Sequence, residues 1–160
     1  MPTGERWHTH DGKIHYRSQE LQETGNDALP ILDALILPYE TDETFPFWLS
    51  SGDRVSAFQH GQYRQVAVYK DIFPEPILDI HPDAASRLGI LQGSVVVLST
   101  RCGKVDVRAN LSEKVRQDCL RMTHGWEEVN ANELGLAHLD KVSGFPWYKA
   151  LPARIERRSE

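Results

Sequence analysis

The stretch from Glu75 to Leu111, EPILDIHPDAASRLGILQGSVVVLSTRCGKVDVRANL, constrains the fold more than any other part of this chain. Residues 77–80 read as a strand. They run into Pro82, which suits the first position of a helix, with acidic Asp83 behind it in the first turn. That helix, residues 83–88, is short because Gly89 is a natural left-handed stop. Residues 94–99 hold Val95, Val96, Val97 and Leu98, an apolar run that suits a strand covered on both faces. A hairpin turn at Arg101-Cys102-Gly103-Lys104 follows. Residues 104–111 then alternate, with Val105, Val107, Ala109 and Leu111 inward and Asp106, Arg108 and Asn110 outward. Short strands joined by tight Gly turns, with one tiny helix, predict a small closed barrel, not a sandwich or a doubly wound sheet.

The remaining signals fit that architecture. A strand is expected at FPFWLSS, residues 45–51, ending on Ser51-Gly52, another at 119–122, and one at 153–155 that closes the sheet. Residues 65–69 fit either a short strand or a helix end. Before Phe45 the pattern weakens. There is weak alternation at 13–16, one or two helical turns between Ser18 and Gly25, and an apolar piece from Leu29 to Leu37 broken by Pro30 and Pro38. The acidic run at 40–43 reads as a solvated loop. Residues 1–44 are thus expected to be an N-terminal connecting segment and residues 45–160 the barrel domain. Ile80, Ala84, Leu88, Ile90, Val95, Val97, Val105 and Val107 are expected in the core.

Composition narrows the function classes. The 160 residues suffice for one sizeable core. A net charge of −5 gives no general attraction to nucleic acid or anionic lipid. No apolar run approaches the ~18 residues of a membrane-spanning helix. Cys102 and Cys119 form no CxxC pair, so free thiols are expected and zinc or iron–sulfur ligation is not. His8, His10, His15 and His60, the first three in HTHDGKIH, invite a metal-site reading of a small complete enzyme. It is set aside because no acidic partner at helical spacing is expected there. No P-loop, Gly-x-Ser-x-Gly or paired-carboxylate motif occurs.

Four segments in order carry a family resemblance: LSSGDR with HGQYR (residues 49–54 and 60–64), residues 75–109, HGW with VNANEL (124–126 and 129–134), and LDKVSGFPWYKALPARIE (139–156). Together they resemble the C-terminal molybdopterin dinucleotide-binding domain of the dimethyl sulfoxide reductase superfamily of molybdopterin oxidoreductases, in particular members similar to polysulfide and thiosulfate reductases. The N-terminal HTHDGKIHYRSQELQETGNDALP is similar to the segment that leads into that domain. The resemblance implies a mainly β fold, a six-stranded double-psi β-barrel with short helices and an extended N-terminal segment. It also implies a domain that helps hold a bis(molybdopterin guanine dinucleotide) cofactor carrying molybdenum or tungsten. No residue here aligns with the metal's protein ligand, and the iron–sulfur cluster belongs to domains outside this sequence. The implied partners are therefore the remaining domains of a parent oxidoreductase, or its large subunit. The chain is not expected to catalyse by itself.

The resemblance also selects candidate cofactor-binding residues. Gly52 and Arg54 match a Gly-Arg turn, in which the Gly allows close backbone approach and the guanidinium can fork onto a phosphate. His60, Gln62, Tyr63 and Arg64 match a His-x-Gln-Tyr-Arg run; His60 and Gln62 share a face if the chain is extended. His124, Gly125 and Trp126 match the family's His-Gly-Trp, with Trp126 either core or a ring-stacking platform. Asn132 fits an Asn-x-Leu pattern, though Asn130 is an alternative, and either can cap a turn. Lys149 reaches either a phosphate or pterin group, or solvent. The family often has Gly-Val where Asp118-Cys119 stands here, and Ser94 alone fills the place of an Asp. A competing reading is a non-enzymatic double-psi barrel adaptor that binds a protein or peptide. Substrate, metal identity and compartment, cytoplasm or periplasm, stay open.

Overall fold

The computed structural model describes residues 6–29, 31, 37, 39–57, 60–140 and 143–158. The chain divides into two compact units, Met1–Ile36 and Leu37–Glu160. In the first, helix α1 (Gln19–Glu23) starts where Ser18 accepts the Leu21 N–H with its side chain. No strand forms at residues 13–16. The Lys13 N–H instead donates to Asp11 Oδ1 at 3.0 Å and the Lys13 carbonyl accepts from Thr9 Oγ1 at 2.7 Å, so a local turn consumes the groups a strand would pair. The apolar piece at 29–37 lies almost wholly outside the described residues.

The second unit contains eight described strands: β1 (Phe47–Asp53), β2 (Ile77–Ile80), β3 (Val95–Thr100), β4 (Lys104–Leu111), β5 (Cys119–Thr123), β6 (Leu136–Leu139), β7 (Pro146–Trp147) and β8 (Leu151–Arg157). Six of them close a barrel in the order β1-β5-β2-β4-β3-β8, while β6 and β7 form a separate two-stranded sheet. β1 runs parallel to β5 and β2 parallel to β4, and the other barrel pairs are antiparallel. Parallel neighbours need crossovers in place of hairpins. The expected mainly β, double-psi barrel with short helices is the fold. β8 closes it by pairing with both β1 and β3.

The core runs through the barrel. Leu49, Leu78, Ile80, Val96, Leu98, Leu120, Met122 and Leu151 are almost wholly removed from solvent. Each contributes about 1.5–3 kcal/mol of apolar burial, an upper bound because unfolded chains are partly compact. Three expected core positions are corrected. Val95 and Val97 are half-buried, and Val96 and Leu98 point inward instead. A barrel covers one face of each strand; Val97 lies on the outer face, where its register partners are the polar Asp106 and Glu156. Leu88 is 39% exposed because it caps helix α3 (Pro82–Arg87), whose inward positions are Ala84 and Ala85. Gly89 then turns the chain with φ 64°.

The ambiguity at residues 65–69 resolves as helix α2 (Ala67–Ile72). The acidic loop at 40–43 is exposed in part but not merely solvated. Asp42 accepts the backbone N–H groups of Thr44 and Phe45 at 2.9 and 2.7 Å and pairs with Arg101. Cys102 and Cys119 are free thiols. Among the described residues no helix is long and apolar enough to cross a membrane.

Candidate functional site

The parallel pairing of β1 with β5 creates the site. Asp53 lies opposite Thr123, so both strands end at the same barrel edge. The residues that follow them, Arg54 on one side and His124-Gly125-Trp126 on the other, therefore emerge together. The turn at 60–64 and the segments after β5 and β7 complete an open cavity of ≈ 740 Å³. That size lies within the usual range for sites that hold small molecules and cofactors.

Nine of the eleven candidate residues line this cavity: Gly52, Arg54, His60, Arg64, His124, Gly125, Trp126, Asn132 and Lys149. Gln62 and Tyr63 do not line it; both are exposed, Tyr63 by 65%. The extended conformation that would align His60 with Gln62 is absent. Residues 60–65 form a turn, and His60 and Tyr63 take positive φ values of 51° and 65°. Sequence reasoning missed Ser51, Gly61, Glu127, Ala131, Phe145 and Tyr148, which also line the cavity, as does Asn130, the alternative to Asn132. The SGFPWYK segment carried the only usable signal for Phe145 and Tyr148.

Local chemistry fixes several of these groups. Gly125 has φ 115°, and a Cβ there would lie 2.3 Å from the His60 carbonyl oxygen. Only glycine lets the 60–61 backbone press so closely on the His-Gly-Trp segment. His60 Nδ1 then stands 2.8 Å from His124 Nε2, with ring centroids 5.0 Å apart and edge-on. His124 Nδ1 reaches the Asp53 carbonyl at 2.9 Å. Trp126 is buried beside Val55, with Tyr69 and Phe73 packed against them, so its ring belongs to a small apolar cluster at the cavity wall.

The charged groups differ in how far they are committed. Arg54 is exposed and hydrogen-bonds to nothing among the described residues. Lys149 donates to Ser50 Oγ at 3.0 Å and to the Ser51 carbonyl at 3.2 Å, which leaves one of its three N–H donors. Arg64 donates to Glu128 at 2.6 Å. The Glu128 carboxyl is held below its ordinary range by its own backbone N–H and then by Arg64. Asn130, not Asn132, is the cap: its side chain accepts the Asn132 N–H at 3.0 Å and starts the short 3₁₀ helix Ala131–Leu134.

The N-terminal unit holds a second cluster. His10, Asp11 and His15 bring ligand atoms within 4.8 Å of one another, all of them exposed. The expectation of no acidic partner at helical spacing was mistaken. Asp11 stands four residues before His15 and lies 2.7 Å from its Nε2. That contact, then the Lys13 backbone N–H, lowers the Asp11 carboxyl to about 2.

Comparison with known proteins identifies the barrel. Residues 47–152 match the model of the family described as "Molydopterin dinucleotide binding domain". The chain is 26% identical over 150 residues to the F420-dependent formate dehydrogenase subunit alpha of Methanocaldococcus jannaschii, covering 92% of this chain and 22% of that protein. It is 29% identical over 113 residues to the assimilatory nitrate reductase catalytic subunit of Bacillus subtilis, covering 69% of this chain and 16% of that protein. Its fold matches acetylene hydratase from Pelobacter acetylenicus with a TM-score of 0.76 at 20% identity, over 98% of this chain and 25% of that one. The chain thus spans about a quarter or less of the length of these relatives. It belongs to the molydopterin dinucleotide binding domain family, within the dimethyl sulfoxide reductase superfamily of molybdopterin oxidoreductases.

Proposed function

We propose that this barrel caps a bis(molybdopterin guanine dinucleotide) cofactor in a molybdopterin oxidoreductase and does not catalyse by itself. The remaining domains, or a large subunit, bring the metal, molybdenum or tungsten, and its protein ligand. The observation that carries this reading is the shared cavity at the ends of β1 and β5, where the family's Gly-Arg and His-Gly-Trp segments meet beside the uncommitted Arg54 and the partly committed Lys149. When bound, the cofactor supplies two-electron redox chemistry at its metal.

The residues present fit such a group. A dinucleotide needs open backbone for its phosphates, cations to neutralise them and polar atoms for its heterocycles. Gly52 and Gly61 supply backbone without side chains, and Arg54 with the remaining Lys149 donor supplies positive charge. Asn132 and His60 offer polar atoms for ring edges. Gln62 and Tyr63, outside the cavity, would reach the cofactor only through a rearranged 60–64 turn. Exposed Val66, Val68 and Ile72 on and beside α2 supply apolar surface for the proposed neighbouring domains.

The test is chemical analysis of the intact oxidoreductase that contains this barrel. Acid hydrolysis should release GMP in twofold excess over the metal, and elemental analysis should identify that metal. The Arg54→Ala/Lys149→Ala pair should lower GMP recovery several-fold with the barrel still folded by circular dichroism. Absence of GMP from the wild type, or unchanged GMP in the double variant, would overturn the assignment.

A further inference from the structure

The two cavity histidines form a hydrogen-bonded chain whose direction is set by a backbone carbonyl. The Asp53 oxygen accepts the His124 backbone N–H at 3.0 Å and stands 2.9 Å from His124 Nδ1. A carbonyl oxygen cannot donate, so Nδ1 carries the proton. In a neutral imidazole the other nitrogen is then an acceptor. His124 Nε2 therefore accepts, and the proton in its 2.8 Å contact sits on His60 Nδ1. By the same logic His60 Nε2 bears a bare lone pair. That atom has no hydrogen-bond partner among the described residues, and His60 lines the cavity.

We propose that His124 is a positioning residue that fixes the tautomer of His60, so that His60 Nε2 presents an acceptor to the cavity and takes an N–H donor edge of a pterin or guanine, leaving phosphate to Arg54 and Lys149. This deepens the proposed cofactor-capping function and depends on it only for the ligand. A neutral Nε2 lone pair repels a phosphate oxygen and matches the amino or ring N–H of a heterocycle. Arg54 and Lys149 are donors only, so they match phosphate and not that edge. The other charged groups at the cavity are Arg64, which is engaged by Glu128, and Glu127. Gly125 makes the arrangement possible, since any side chain there would drive His60 away.

The tautomers are read directly in the full 160-residue chain labelled with ¹⁵N-histidine, by long-range ¹H–¹⁵N correlation at pH 8.5, where imidazole is ordinarily neutral. Both rings are expected in the Nδ1–H form. Either ring in the Nε2–H form overturns the chain of hydrogen bonds, whatever the cofactor. In His124→Phe, His60 should shift toward Nε2–H; an unchanged tautomer removes the positioning role. Ligand class is tested with GMP, neopterin and inorganic pyrophosphate as separate probes. GMP or neopterin should move the His60 Nε2 resonance, and whichever does so identifies the ring. Pyrophosphate should move the Arg54 side chain and leave Nε2 in place. Movement by pyrophosphate, or by none of the three, overturns the donor-edge assignment. The tautomer result stands separately, and the GMP content of the oxidoreductase independently tests the cofactor reading.

Discussion

Arg121 on β5 sets its guanidinium on the Asp79 carboxylate of β2, a side chain only 5% exposed. The second Asp79 oxygen accepts from Asn110 of β4 at 2.6 Å, and Arg121 also lies 3.3 Å from Asp53 of β1. One carboxylate thus ties three adjacent strands, and Arg121 extends the tie to the strand end that forms the cavity. Removing one member of a buried pair costs about 3–5 kcal/mol, less where a partner is wet. Arg121 is 40% exposed, so Arg121→Met should destabilise by about 2–3 kcal/mol in urea unfolding. Arg116→Met, which removes the exposed Arg116–Asp118 pair, should cost far less, because solvent screens that pair. Equal losses would show that the buried network does not matter more than a surface pair.

Strand existence was largely legible because alternation and Gly turns are local signals. Residues 77–80, the β3–β4 hairpin and the closing segment at 153–155 all fall in barrel strands. The pairing was not legible. β1 and β5 lie side by side and parallel although dozens of residues separate them, and no local pattern encodes that choice. The same gap hid the cavity: Arg54 and His124 look unrelated until the parallel register brings Asp53 beside Thr123. The turn at 60–64 was not legible because non-glycine residues rarely take positive φ, as His60 and Tyr63 do. Long-range contact with Gly125 overrides that preference.

Gly125→Ala should separate the two histidines. The new Cβ would meet the His60 carbonyl oxygen at 2.3 Å, and φ is 115° there, so strain adds to collision. We expect a loss of about 1–3 kcal/mol and disappearance of the His60–His124 contact by NMR. Gly93→Ala provides the comparison, with φ 76° but nothing within 4 Å. It should cost only about 1–2 kcal/mol of backbone strain and leave the histidine pair intact. A Gly125→Ala protein that keeps the histidine contact would contradict the packing argument.

Acid should release the loop before β1 late. The Asp42 carboxyl is lowered from 3.8, first by the Phe45 backbone N–H and then by Arg101 and the Thr44 N–H. A depressed folded value means that its stabilisation is fully present above the unfolded value and fades as pH falls through the folded one. A ¹³C titration should therefore place the Asp42 midpoint below 3.8. Arg101→Gln should leave most of that lowering, because both backbone donors remain. A midpoint restored to 3.8 by Arg101→Gln alone would make the ion pair, not the backbone, the main cause.

The two asparagines before Leu134 should separate by readout. Asn130 accepts the Asn132 N–H and starts the 3₁₀ helix, whereas Asn132 is exposed and lines the cavity. Losing a side-chain cap costs about 1 kcal/mol. Asn130→Ala should thus lower stability by about that amount. It should also loosen Leu134, whose carbonyl accepts from buried Thr100 Oγ1 at 3.0 Å and whose side chain sits in the barrel core. Asn132→Ala should leave the unfolding midpoint unchanged and instead reduce GMP recovered from the oxidoreductase. The sequence pattern alone could not divide these roles, because Asn-x-Asn-x-Leu lets either residue cap. A midpoint that falls in Asn132→Ala and not in Asn130→Ala would reverse the assignment.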